Sequence, residues 1–154
     1  MTSIRHLKFA DWMPVVNADD IAVGLRQEQV GVEEAAIIAQ AGRIALKQRS
    51  ALLAERRSFV IETTLTGHSE LHLMRAAKAQ GYKVNLVYVK IASPEQSNSR
   101  VCTRVATGGH DVPEQDIFRR FARSLENLPK AIAISDRVRI LDNVGRAHRL
   151  LSPA

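Results

Sequence analysis

Cysteine is nearly missing: Cys102 is the only one in 154 residues. That excludes a disulfide framework and a cysteine-based zinc site, and it leads us to expect a reducing compartment, the cytoplasm. Aromatic residues make up 5% of the chain, too few for the stacking platforms on which single-stranded nucleic acids are held. No apolar run approaches the roughly 18 residues of a spanning helix, and the opening MTSIRHLKFADW has no apolar segment of secretory length. Neither a membrane nor a nucleic acid is expected as partner. Repeats, low-complexity tracts and linkers are also lacking, and no GxxxxGK[ST] occurs anywhere.

What is present is a globular composition with a basic bias. Hydrophobic residues account for 45% of the chain, enough to bury a core, and the length corresponds to one domain over residues 1–154. The 22 Lys and Arg against 16 Asp and Glu leave a net charge of +6, which favours an anionic partner such as a nucleotide or a phosphorylated metabolite.

The apolar pattern alternates between short runs and longer helical ones. Met13 to Asn17 (MPVVN) predicts a buried strand, followed by Asp19 and Asp20. Ile37, Ala41, Ile44 and Ala45 recur at helical spacing within a helix expected over about 32–56. SFVIET (Ser58 to Thr63) reads as a second strand, and His68 to Gln80 as a helix stopped by Gly81. Val84 to Ile91 is the third strand. Ser93-Pro94-Glu95-Gln96 is a capping box, Pro113-Glu114 opens another helix, and RVRILD (Arg137 to Asp142) is a strand to which RAHRLL can pair back. In the helix after Pro113 we expect Ile117, Phe121, Leu125 and Leu128 to form the core stripe, with Arg119, Arg120 and Arg123 opposite. The alternation predicts an α/β domain with a mainly parallel sheet.

Ligands of such sheets sit at the carboxyl ends of the strands. Three places therefore matter: Asp19 and Asp20 after the first strand, Glu62-Thr63-Thr64 at the end of the second, and RVATGGHDVPEQDIFRRFARSLENL (Arg104 to Leu128). In the last, arginines flank a Gly108-Gly109 hinge, with Arg100 one turn before Arg104. A carboxylate can deprotonate a hydroxyl while guanidinium forks neutralise a moving phosphoryl group, so the combination suits phosphoryl transfer. Each part also has a plain structural explanation. The Asp pair can cap a helix, Glu62 can be a solvated strand end, and Arg100 and Arg104 can form a polar helix face. His110 reads as a loop residue, since no second His or Cys lies at ligand spacing; no protein-held metal is expected.

Taken together, VNADDIAVGL, FVIETTLTG, AKAQGYKVNLVYV, the GGHxVP segment with RRFxRSLxNL, and ILDN resemble the zeta toxin family of P-loop kinases over nearly the whole chain. The resemblance implies a three-layer P-loop kinase-like domain that uses ATP and Mg²⁺. It also implies phosphorylation of a small-molecule hydroxyl, with UDP-N-acetylglucosamine as the family's best-known acceptor, and an antitoxin protein as possible partner. It assigns Asp19 as general base, Glu62 and Thr64 to the sugar nucleotide, and Arg104, Arg120 and Arg123 to the phosphate-clamping lid, with Arg100 and Arg104 toward the nucleotide. Two departures stand out. Thr66 occupies the place of a substrate-binding arginine, and the first strand and phosphate loop are missing, Met1 falling where the following helix is expected and Thr2-Ser3 where the loop's closing hydroxyls are expected. The alternative is a non-catalytic remnant that binds an anion or a protein partner.

Overall fold

The computed structural model describes residues 13–90, 114–142 and 149–150. These gather into two compact units divided between Thr63 and Thr64. The capping box at Ser93, Arg100, Arg104, the Gly108-Gly109 hinge and His110 lie outside the described residues.

In the first unit, β1 (Val15–Val16) leads into α1 (Ala18–Glu28), and α2 (Glu34–Ala54) leads into β2 (Val60–Ile61). The two strands are parallel, Val15 opposite Val60 and Val16 opposite Ile61. Their ladder extends by one bond at each end, from the Val60 N–H to the Pro14 carbonyl at 2.9 Å and from the Glu62 N–H to the Val16 carbonyl at 3.1 Å. Both strands are shorter than MPVVN and SFVIET suggest, two residues of each standing in the paired register. Gly31, at φ +87°, lies between the two helices and supplies a backbone conformation other residues resist. The core joins Ala22 and Leu25 of α1 to Ile37 and Ala41 of α2, with Ile21 and Ile44 against them. Arg26 Nε donates to Glu34 at 3.0 Å across the same helix pair.

α2 ends at Ala54 in a Schellman arrangement. The Arg57 N–H reaches the Leu52 carbonyl at 3.0 Å and the Arg56 N–H the Leu53 carbonyl at 3.1 Å. The left-handed position, usually glycine, is held here by Arg56 at φ 54°.

The second unit contains α3 (His68–Ala79), β3 (Asn85–Lys90), α4 (Glu114–Ile134), β4 (Arg137–Asp142) and β5 (Arg149–Leu150). β3 and β4 are parallel and in register from Asn85 opposite Arg137 to Lys90 opposite Asp142. β5 pairs antiparallel to β4, as a strand returning through RAHRLL requires. α3 closes with the Tyr82 N–H on the Ala77 carbonyl at 3.1 Å and the Gly81 N–H on the Lys78 carbonyl at 2.9 Å. Gly81 is at φ +86°, which explains its stopping the helix. The core consists of Leu65, Leu71 and Ala131, packed by Met74, Leu86, Tyr88, Leu128 and Ile134.

One part of the expected core stripe needs correction. Ile117 is buried and Phe121 and Leu128 half-buried, but Leu125 is 44% exposed. The buried side of α4 runs instead through Ser124 and Asn127 to Ala131. Pro129 lies inside α4 and can donate nothing to the carbonyl one turn back, that of Leu125. The helix nevertheless continues, and Ala131, fully buried beyond the proline, anchors it.

Candidate functional site

In the first unit the parallel pair brings two residues side by side, each one position beyond its strand. Asn17 follows Val16 and Glu62 follows Ile61, and Asn17 Nδ2 donates to Glu62 Oε2 at 2.7 Å in a partly buried setting. Asn17 is also the N-cap of α1. Its backbone is extended (φ −132°, ψ 117°), and its Oδ1 accepts the Asp19 N–H at 2.8 Å. One side chain therefore serves two ends, the amide nitrogen orienting a carboxylate and the amide oxygen satisfying a helix donor.

This corrects the capping alternative for the aspartates. Asn17 caps α1, while Asp19 and Asp20 lie in its first turn, where negative charge is favoured by the exposed helix N–H groups. Asp19 is exposed. Its charge acts on Arg26, whose guanidinium is held above the usual arginine value chiefly by the hydrogen bond to Glu34 and further by the Glu34 and Asp19 charges, against the effect of burial. A carboxylate fixed through its backbone and open to solvent can accept a proton from a hydroxyl brought to it.

Within the second unit, Thr64 and Thr66 flank a buried anchor. Leu65 is 5% exposed and stands at φ 56°, a left-handed conformation uncommon for leucine. The hydroxyls on either side approach each other, Oγ1 to Oγ1, at 3.0 Å and are exposed. Paired hydroxyls of this kind offer a ligand both a donor and acceptor lone pairs. From α4, Asn127 Nδ2 donates to the Leu65 carbonyl at 3.0 Å.

Arg119, Arg120 and Arg123 are all exposed on α4, away from its core side. Arg119 is committed to Asp116 at 2.8 Å, one turn earlier on the same helix. Arg120 and Arg123 lie one turn apart and can present two guanidinium groups to an anion. Among the described residues, no group of three or more His, Cys, Asp and Glu could hold a metal ion. None of the described helices is long and apolar enough to cross a membrane.

The structure thus places Asp19 beside the Asn17–Glu62 pair in one unit, and Thr64, Arg120 and Arg123 in the other. Two polar residues were not assigned a role from the sequence. Asn17 sits inside the NAD element without declaring which of its neighbours it serves. Asn127 is an asparagine on a helix face otherwise lined by Ile117, Phe121 and Ala131, and that mismatch was the available signal.

The family model described as Zeta toxin matches residues 24–150. The matched span takes in Glu62, Thr64, Arg100, Arg104, Arg120, Arg123 and Asn127, and begins beyond Asn17 and Asp19. A protein of Haemophilus influenzae (strain ATCC 51907 / DSM 11121 / KW20 / Rd), described as an uncharacterized protein, is 29% identical over 107 residues, 70% of this chain and 74% of its own. No solved structure matches.

Proposed function

The chain belongs to the Zeta toxin family, whose members are kinase-like nucleotide-binding proteins, and from that premise we propose that it handles phosphoryl transfer from ATP to the hydroxyl of a small molecule, a UDP-sugar such as UDP-N-acetylglucosamine. The observation that carries the reading is the Asn17–Glu62 hydrogen bond, which sets a carboxylate at the carboxyl end of a parallel pair, held by the same side chain that caps the helix carrying Asp19.

In this reading Glu62 and Thr64 orient the acceptor, and Asp19 takes the proton of the acceptor hydroxyl. The freed oxygen attacks the γ-phosphorus of ATP, the bond from that phosphorus to the β–γ bridging oxygen breaks, and ADP leaves. Arg120 and Arg123 neutralise charge on the transferring group, together with Arg104, and Arg100 and Arg104 face the nucleotide. Mg²⁺ is held largely by phosphate oxygens and water and counts here as part of the nucleotide substrate. The sequence contains no GxxxxGK[ST], so the backbone cradle and lysine that usually hold the β- and γ-phosphates have no assigned residues here. The three-layer P-loop architecture, a cytoplasmic location and an antitoxin partner belong to the same reading.

The test is single-turnover transfer from γ-labelled ATP to UDP-N-acetylglucosamine, with Asp19→Asn and Asp20→Asn alongside the parent. Asn17 supplies the cap, so Asp19→Asn should leave the fold intact while removing most transfer, and Asp20→Asn should retain it. Transfer by Asp19→Asn at the parent's rate would remove Asp19 from the mechanism. Binding of UDP-N-acetylglucosamine by a parent that transfers nothing favours the non-catalytic anion-binding alternative.

A further inference from the structure

An asparagine on the packed side of a helix is costly unless its amide is satisfied, because both its N–H groups and its oxygen leave water. Asn127 is 4% exposed, the one polar residue among those fully buried in the described chain. Its amide hydrogens go to the main chain of the loop that precedes α3. Nδ2 donates to the Leu65 carbonyl at 3.0 Å and, at a longer 3.5 Å, to the Gly67 carbonyl. Lys130 Nζ donates to its oxygen at 3.4 Å. The loop it grips is itself unusual. Leu65 holds a left-handed φ of 56°, a conformation that persists in a non-glycine residue only where the surroundings enforce it. Two constraints enforce it here: the Leu65 side chain is buried with Leu71 and Ala131, and its carbonyl is held by Asn127. With the backbone turned this way, Thr64 and Thr66 bring their hydroxyls to 3.0 Å on the exposed side.

We propose that Asn127 is a positioning residue: through the Leu65 and Gly67 carbonyls it fixes the loop that presents the Thr64–Thr66 hydroxyl pair to the acceptor. This rests on the reading of Thr64 as an acceptor-binding residue. It adds Thr66 to that role, with Asn127, 62 residues away in sequence from Leu65, as the brace behind both. Leucine shares asparagine's branching at Cγ, is the larger side chain and suits the apolar side of α4, so Asn127→Leu removes the donor without opening a cavity.

The test pairs two measurements on the full chain. Amide hydrogen exchange in Asn127→Leu should accelerate by about tenfold or more at Leu65 to Gly67 relative to β3 and β4, as expected for a segment that has lost its restraint. Ile117→Ala, which damages the same helix's packing at a buried residue outside the cluster that contains Leu65, should not produce that local pattern. Calorimetric titration with UDP-N-acetylglucosamine should show Asn127→Leu binding about tenfold more weakly, the equivalent of one positioned hydrogen bond. Thr66→Val should weaken binding in the parent and add little in the Asn127→Leu background, the non-additivity that marks a shared unit. Unchanged exchange at Leu65 to Gly67, or equal acceleration by Ile117→Ala, overturns the brace. Local acceleration with unweakened binding overturns its service to the acceptor. If the parent does not bind UDP-N-acetylglucosamine, the proposed acceptor is wrong, while the exchange pattern still decides whether Asn127 holds the loop.

Discussion

Asn17 and Glu62 are 45 residues apart in sequence and joined by a 2.7 Å hydrogen bond. The amide that orients the carboxylate is the same group that caps α1, so helix entry and carboxylate orientation are coupled through one side chain.

That coupling can be split by substitution. Serine caps a helix about as well as asparagine but is too short to reach Glu62, so Asn17→Ser should change stability by no more than a few tenths of a kcal/mol from the cap itself. Asn17→Ala, losing both functions, should cost about 1 kcal/mol or more. Urea denaturation of the two variants measures the difference. UDP-N-acetylglucosamine binding should weaken in both, because both release Glu62; binding lost only in the alanine variant would mean that the cap alone matters.

A second prediction concerns the end of α2. Arg56 occupies the left-handed position of a Schellman motif at φ 54°, where a Cβ is unfavourable. Arg56→Gly should stabilise the protein by about 0.5–1 kcal/mol, read as a higher urea midpoint with unchanged slope. The left-handed strain is refuted as a cost if the midpoint falls.

The long helices were legible and the short strands were not. The helix expected over 32–56 is observed as Glu34–Ala54, and that expected from His68 to Gln80 as His68–Ala79, because an amphipathic repeat states its period several times over. MPVVN and SFVIET were recognisable as strands, but how much of each pairs depends on the partner's reach, which neither run contains. In the NADD element three capping-competent side chains, those of Asn17, Asp19 and Asp20, stand within four residues, and only the extended backbone at Asn17 selects one. Leu125 looked like core by spacing, yet the stripe drifts toward Ser124 and Asn127 as α4 proceeds. Asn127 could be flagged as out of place, but its partners lie 60 and 62 residues earlier, and no local rule links them.

The pH dependence of stability should carry a mark of Asp136. Its carboxylate accepts the Val84 N–H at 2.8 Å and Lys78 Nζ at 3.3 Å, while its own N–H donates to the Val84 carbonyl at 2.7 Å, tying the starts of β3 and β4 together. The Val84 hydrogen bond holds the carboxyl below its ordinary value of 3.8, with Lys78 and Lys83 adding to it against burial. A depressed folded-state value means stabilisation fully present above the unfolded value and lost as pH falls through the folded one. Asp136→Asn should therefore lower the melting temperature at pH 7 and flatten its decline below about pH 4. Parallel melting curves for parent and variant from pH 5 to pH 2 would contradict this.

The arginines of α4 provide a prediction with an internal control. Arg119, Arg120 and Arg123 are all exposed, and Arg119 is paired with Asp116 at 2.8 Å. Exposed side chains away from caps and cores change stability by roughly 0.5 kcal/mol or less, so alanine at any of the three should leave the melting temperature nearly unchanged. The clamp reading separates them by activity. Arg120→Ala and Arg123→Ala should each reduce single-turnover transfer by about 10²-fold, the scale on which a transition-state charge donor acts, and Arg119→Ala should not. Binding of UDP-N-acetylglucosamine should persist in all three, since the clamp acts on the phosphoryl group and not on the sugar. Equal transfer by all three variants would return α4's arginines to a solvated helix face and leave Arg104 as the remaining assigned clamp. A loss confined to Arg119→Ala would instead mean that the Asp116–Arg119 pair, and not the Arg120–Arg123 turn, faces the nucleotide.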